Sequence, residues 1–178
     1  MKSKKFNPNA LIWLFVMMMT TFFFSCEKEK DPLEACRKDP TCEYFVCNVN
    51  GERWEPQCNR DPLFGCTPWD VQYYKQTGYL VLISKKNDTE SIVIYVRDLF
   101  DVNSNYNLFK GNNTTTLFRN TNYCGNYLLD TSLNNYINIS ELDINNFRIK
   151  GKFEFSSQDT CGNLVNLTDG EFNLPYRF

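Results

Sequence analysis

Beyond residue 25 the sequence predicts an all-β domain, an antiparallel β-sandwich or open barrel. Three observations carry this. β-branched and aromatic residues gather in short runs, and Gly, Asn, Asp and Pro separate those runs at short intervals. No apolar pattern of 3.6-residue period is sustained past the amino terminus. Short strands joined by turns in this way close into sandwiches or barrels.

The first 25 residues are of another kind. Lys2, Lys4 and Lys5 form a positive start, and an uncharged run of 15 residues follows from Ala10 to Phe24. That length suits an export signal and falls short of the 18 or more that a spanning helix needs. Ser25-Cys26 closes the run as in the lipobox of bacterial lipoprotein precursors, although Phe23 stands where that pattern usually has Leu. The small Ser25 leaves the scissile bond accessible to the signal peptidase. Cys26 is the expected lipidation site, its thiol taking diacylglycerol and its freed amine a further acyl chain such as palmitate. Several acyl chains on one residue give lasting attachment, because each buried methylene contributes about 0.8 kcal/mol.

Residues 26–41 are polar and charged, with Pro32 and Pro40, and read as a hydrated, lipidated tether. Glu27-Lys28-Glu29-Lys30-Asp31 resembles the Lys- and acid-rich export signal that follows the lipid cysteine in Bacteroidota surface lipoproteins. The expected location is therefore the outer membrane, facing the cell exterior; a plain tether would leave the domain facing the periplasm.

The β-rich domain is expected over 42–178. In 44–49 the residues Phe45, Cys47 and Val49 share one face, and Asn50-Gly51 is a strong hairpin signal because both residues tolerate positive φ. Glu52-Arg53-Trp54 begins the return strand and Pro56 ends it. Residues 57–70 read as a loop, with Cys58, Asp61-Pro62, Gly65, Cys66 and Pro68. Strands are expected at 71–75, 79–84 and 91–97, with a turn at Lys86-Asn87-Asp88. The Asn-rich stretch 101–113 reads as a long loop. Further strands are expected at 115–119, 135–141, 147–155, 164–167 and 170–177.

Three segments resemble a family of small Bacteroidota lipoproteins. Val49-Asn50-Gly51-Glu52-Arg53-Trp54 is similar to a Val-Asn-Gly-x-x-Trp hairpin that opens many of them. Gly151-Lys152-Phe153-Glu154-Phe155 resembles their Gly-x-Phe-x-Phe strand, and Thr168-Asp169-Gly170-Glu171-Phe172 their terminal turn and strand. The likeness spans most of 44–178. It implies an all-β envelope lipoprotein domain of uncharacterised function and carries no catalytic residues over. The matching positions read as scaffold: Gly51 and Gly170 fit turns, while Phe153, Phe155 and Phe172 alternate as core-facing strand residues.

Seven cysteines follow Cys26. Cys36 with Cys42 and Cys58 with Cys66 would close local loops, and Cys124 with Cys161, each beside a Gly, would bridge distant hairpins. Cys47, on the apolar phase of its strand, is left as a buried free thiol. An odd number leaves at least one thiol unpaired or intermolecular, and spacing alone does not fix the connectivity. Export permits such disulfides, and none of these cysteines has the C-x-x-C spacing of a zinc site.

Loss of the leader leaves 153 residues carrying 16 bases against 21 acids, a formal charge of −5. Nothing in that balance suits nucleic acid. The chain has no histidine, which excludes Ser-His-Asp and Cys-His nucleophile activation. Asp98, Asp101, Glu141, Asp143 and Asp169 stand at or near turns, and no spacing pairs any two of them as a glycosidase requires. Asp101-Val102-Asn103-Ser104-Asn105 opens like a calcium loop, but Tyr106 replaces the Gly and Asn112 the bidentate Glu. No metal or cofactor is implied. Phe64, Trp69, Tyr73 and Tyr74, in or beside the cysteine loop, are the candidate ligand-binding aromatics. The expected function is that of a noncatalytic, membrane-anchored lipoprotein that binds an unidentified protein or glycan partner or contributes to an envelope assembly. The alternative is a carbohydrate-binding accessory domain using those aromatics, with a two-acid hydrolase behind both.

Overall fold

A computed structural model describes residues 31, 33–57, 67–108, 114–120 and 126–178. The leader, Cys26, Cys58, Phe64, Cys66 and Cys124 lie outside these residues, as does the expected pairing of Cys58 with Cys66. The chain divides at Lys38 into two compact units. In the first, where the sequence reads as unstructured tether, Leu33–Lys38 forms a short helix, α1. The Asp31 carboxylate accepts the Leu33 amide at 3.0 Å, which supplies an acceptor to the helix start. Lys38 and Glu34 pair at 2.8 Å one turn apart.

The second unit, Asp39–Phe178, is all-β. Its strands are β1 (Tyr44–Val49), β2 (Glu52–Trp54), β3 (Trp69–Tyr74), β4 (Tyr79–Lys85), β5 (Glu90–Val96) and β6 (Asn105–Asn107). They continue with β7 (Thr114–Asn120), β8 (Asn126–Leu129), β9 (Tyr136–Asp143), β10 (Arg148–Gln158) and β11 (Leu164–Pro175). The sheet runs β2-β1-β11-β10-β8-β7-β5-β4-β3 and curls into a half-barrel, with β9 on β10 and β6 on β9. Every strand-to-strand ladder is antiparallel. Open barrel is thus the right half of the expectation.

The Asn50-Gly51 turn is as expected. Asn50 has φ 53° and Gly51 φ 84°, the two left-handed residues of a tight hairpin. The turn is also docked: Asn50 donates its amide to the Asn166 carbonyl at 2.9 Å and accepts the Asn166 amide on its side-chain oxygen at 2.9 Å.

Two strands were not expected. β6 lies inside the Asn-rich stretch, held because Tyr106 closes the loop before it: its phenol donates to the Asp101 carbonyl at 2.7 Å and accepts the Asp101 amide at 3.1 Å. β8 is only four residues long, Asn126–Leu129, bridging β7 to the end of β10.

One correction concerns Gly170, which is not in a turn. Residues 164–175 form one strand, and a β-bulge interrupts it: Thr168 and Asp169 together oppose Glu154 alone, with Asp169 at φ 52°. The extra residue resets the phase of the strand. Val165 and Leu167 face the core before it, and Gly170, Phe172 and Leu174 after it. A polar pair across β1, Asn48 Nδ2 to Asp169 Oδ2 at 2.9 Å, holds the bulge.

The three segments that carry the family resemblance meet in one cluster. Phe45 packs on Trp54 (5.8 Å between centroids), Phe153 (5.2 Å) and Phe172 (6.5 Å), and Phe153 touches Phe155 at 5.9 Å. All five are buried, as is Cys47 beside them. Aromatic pairs of this geometry add about 0.5–1.5 kcal/mol each beyond the area they bury. Cys47 is a free thiol, as expected, and burial, reinforced by repulsion from Glu90, pushes it up to about 12. Cys36 and Cys42 are joined in a disulfide, and Cys161 is also disulfide-bonded.

Candidate functional site

Alternation along β3 separates the aromatics that the sequence singles out. Successive side chains on a strand point to opposite faces, so Trp69, Val71 and Tyr73 share one face and Asp70, Gln72 and Tyr74 the other. The first set is the core face. Tyr73 is buried there, its phenol donating to the Leu99 carbonyl at 3.0 Å, and burial followed by the nearby Tyr106 pushes its pKa up. Such a side chain is a core residue with its polar end satisfied, and it offers nothing to a ligand.

Trp69 is half-buried against the core at the rim of the sheet. A cavity of about 400 Å³ lies beside it, lined by Asp70, Tyr176 and Arg177 among others, with Arg177 paired to Asp70 at 2.8 Å. Among the described residues, the buried indole N–H of Trp69 has no hydrogen-bond partner. Trp69 therefore closes the core on this side and does not project as an open stacking platform.

Tyr74 is 41% exposed on the outer face and does not stand alone there. The four residues Lys75-Gln76-Thr77-Gly78 join β3 to β4 and set the register that puts Tyr74 directly opposite Tyr79. Their rings are parallel to within 24° at 6.1 Å. Tyr79 in turn lies parallel to Tyr95 of β5, within 12° at 6.4 Å. Three tyrosines on three neighbouring strands thus form one row on the outside of the half-barrel. The Arg97 guanidinium sits 5.7 Å from the Tyr79 ring centre, a cation–π distance. Beside them is a cavity of about 390 Å³, lined by Thr77, Tyr79, Arg97 and Asp98. The Tyr74 phenol donates to Gln72 Oε1 at 2.9 Å, so this edge of the row is held in place.

Sequence reading singles out Tyr74 of this row but not Tyr79, Tyr95 or Arg97. The signal was present in part, because a four-residue turn between strands ending at 74 and starting at 79 places those tyrosines opposite each other.

Two of the acids weighed for catalysis, Asp143 and Asp169, take structural parts. Asp143 accepts the Asn145 and Asn146 amides, both at 3.0 Å, and Asn146 Nδ2 at 2.7 Å; these bonds, Asn146's first, together with the Arg148 charge hold its carboxyl below the usual range. Asp169 serves the bulge. Among the described residues, no three His, Cys, Asp or Glu side chains gather as metal ligands.

Family models, curated proteins and solved structures were all compared with the chain, and none matches it.

Proposed function

We propose that this chain is a noncatalytic binding module of a bacterial envelope, lipid-anchored through Cys26 and presenting the Tyr74–Tyr79–Tyr95 face to a protein partner. One observation carries the reading: a row of parallel tyrosines, with an arginine over it, on the outer face of the sheet. Tyrosine and arginine are enriched at protein interfaces because each combines a large apolar area with a polar end. They are costly to leave on a surface that binds nothing. The absence of histidine and the turn-capping use of Asp143 support a noncatalytic role. The lipobox-like end of the leader and the acidic-basic segment after it support attachment to the outer membrane with the domain outside.

The test is a photo-crosslinking amino acid placed at Thr77, beside the row, in cells carrying the full-length chain. Capture of an envelope protein, lost when Tyr74 and Tyr79 are both changed to Ala, is the expected result. A carbohydrate bound in a glycan array and lost in the same double variant would move the reading to the accessory-domain alternative.

A further inference from the structure

A further cavity lies at the other end of β5 from the tyrosine row, in the mouth of the half-barrel. The β1–β2 turn, the start of β5, the end of β7 and the β10–β11 turn surround a cavity of about 390 Å³. That volume is within the range that holds a small ligand, and barrel mouths are a common place for one. Its floor is apolar. Phe118 and Tyr127 meet edge to face at 5.5 Å across β7 and β8, both buried, with Val165 beside them.

The rim is polar, and its side chains are fixed. Glu90 accepts Trp54 Nε1 at 3.1 Å on one oxygen and Asn120 Nδ2 at 3.2 Å on the other, with Lys86 Nζ at 3.9 Å. Asn163 is clamped by Asp159, which accepts its amide and its Nδ2, both at 2.8 Å. That leaves Asn163 Oδ1 as an acceptor. Asn50 spends its oxygen on the Asn166 amide and keeps Nδ2 as a donor. Glu52, exposed, completes the rim. Ser157, paired across the strands with Val165 but not part of the cavity lining, is fully buried, and among the described residues its hydroxyl has no hydrogen-bond partner.

We infer that this mouth binds a neutral saccharide of one or two units. The chemistry selects that class. Fixed amide donors and acceptors match hydroxyl groups, which both donate and accept. The apolar floor suits the C–H face of a pyranose ring. Glu52 and Glu90 repel an anion, while Trp54, Asn120 and Lys86 already compensate Glu90, which leaves only the exposed Glu52 to attract a cation. Groups locked before binding lose little freedom on contact, and this is how a small polar site gains affinity. The inference stands apart from the tyrosine face and needs no residue of it.

The experiment is isothermal titration of the full mature chain, held in a sugar-free detergent, with maltose, cellobiose, lactose and N,N′-diacetylchitobiose, and with spermidine as a cationic probe. At least one disaccharide is expected to saturate. Glu90→Gln keeps an acceptor for Trp54 but loses the one that Asn120 uses, and it should weaken that binding about tenfold. Glu52→Gln, on the exposed rim where folding is not at risk, should weaken it by a smaller factor. Saturable binding that both variants leave unchanged would overturn the proposal. So would saturation by spermidine alone, or by no probe at all.

Discussion

Aspartate is the residue that shapes this chain's turns. Asp39, Asp130, Asp143 and Asp159 each turn a carboxylate back onto backbone amides two to four residues ahead. Asp159 is the most committed: its carboxylate takes the Cys161 amide at 2.9 Å and two bonds from Asn163. Burial works to raise its pKa, and the hydrogen bonds from Asn163, Cys161 and Gly162 outweigh that effect and leave it lowered. A carboxyl with a lowered folded pKa stabilises the fold above its unfolded value, and the gain is lost as pH falls through the folded one. Asp159→Asn should therefore unfold at lower urea concentration than the parent at pH 7. The gap should narrow below about pH 4, where the unfolded carboxyl takes up its proton. A gap unchanged with pH would mean that the turn does not depend on this charge. Cys47 gives a second prediction at this scale. With its thiol buried and pushed up to about 12, the Cys47 peptide should stay unlabelled by iodoacetamide at pH 8 in the native protein and label fully in urea. Peptide mass mapping reads this directly.

At the scale of elements, β10 and β11 are built from two reciprocal glycine–phenylalanine pairs. Gly151 lies opposite Phe172, and Phe153 opposite Gly170. Each ring lies over the glycine facing it, so a methyl at Gly151 would meet the Phe172 ring at 2.7 Å and the Asn138 carbonyl closer still. One at Gly170 would meet the Phe153 ring at 2.7 Å and its carbonyl at 2.5 Å. Gly170→Ala should cost about 1–3 kcal/mol in chemical denaturation, as overpacking does. Combined with Phe153→Leu, it should cost less than the two changes taken separately, by more than about 0.5 kcal/mol. Strict additivity would show that ring and glycine do not constrain each other. This pairing also shows what was legible. Phe153, Phe155 and Phe172 declare a core face through simple alternation, and the Asn50-Gly51 hairpin declares itself through backbone chemistry. Gly170 reads as a turn because Thr-Asp-Gly is turn chemistry, and its use as a bulge depends on the strands either side. β6 is hidden because Asn105–Asn107 has weak strand preference and owes its form to Tyr106 and to β9. The tyrosine row was legible only at Tyr74, since the rest depends on register across three strands. The mouth was legible only at its Asn50-Gly51 turn, because the rest of its rim comes from separate turns and strand ends that only the fold brings together.

The β-domain as a whole is closed by its last residues. After β11, the chain crosses to the far edge of the sheet, where Tyr73 donates its amide to the Arg177 carbonyl and Arg177 its amide to the Val71 carbonyl, both at 2.9 Å. Tyr176 anchors this crossing from the core side, packed edge to face on Tyr73 at 5.5 Å and on Phe147 at 6.0 Å. Without these bonds β3 would be an open edge for part of its length, a hazard that sheets ordinarily cover. The other seam is held near β2, where Gln57 donates to the Lys85 carbonyl at 3.1 Å. A chain stopped after Pro175 should therefore keep its fold around the phenylalanine cluster and loosen at β3. Hydrogen exchange should show the amide of Tyr73 losing protection by more than tenfold, while those of Phe153 and Phe155 in β10 change little. Uniform loss across both strands would mean that the tail supports the entire domain; no change at β3 would mean that it closes nothing. Because β3 carries Tyr74, a loosened edge should also blur the tyrosine row. The truncated chain should then lose partner capture while its mouth, at the other end of the strands, still binds saccharide.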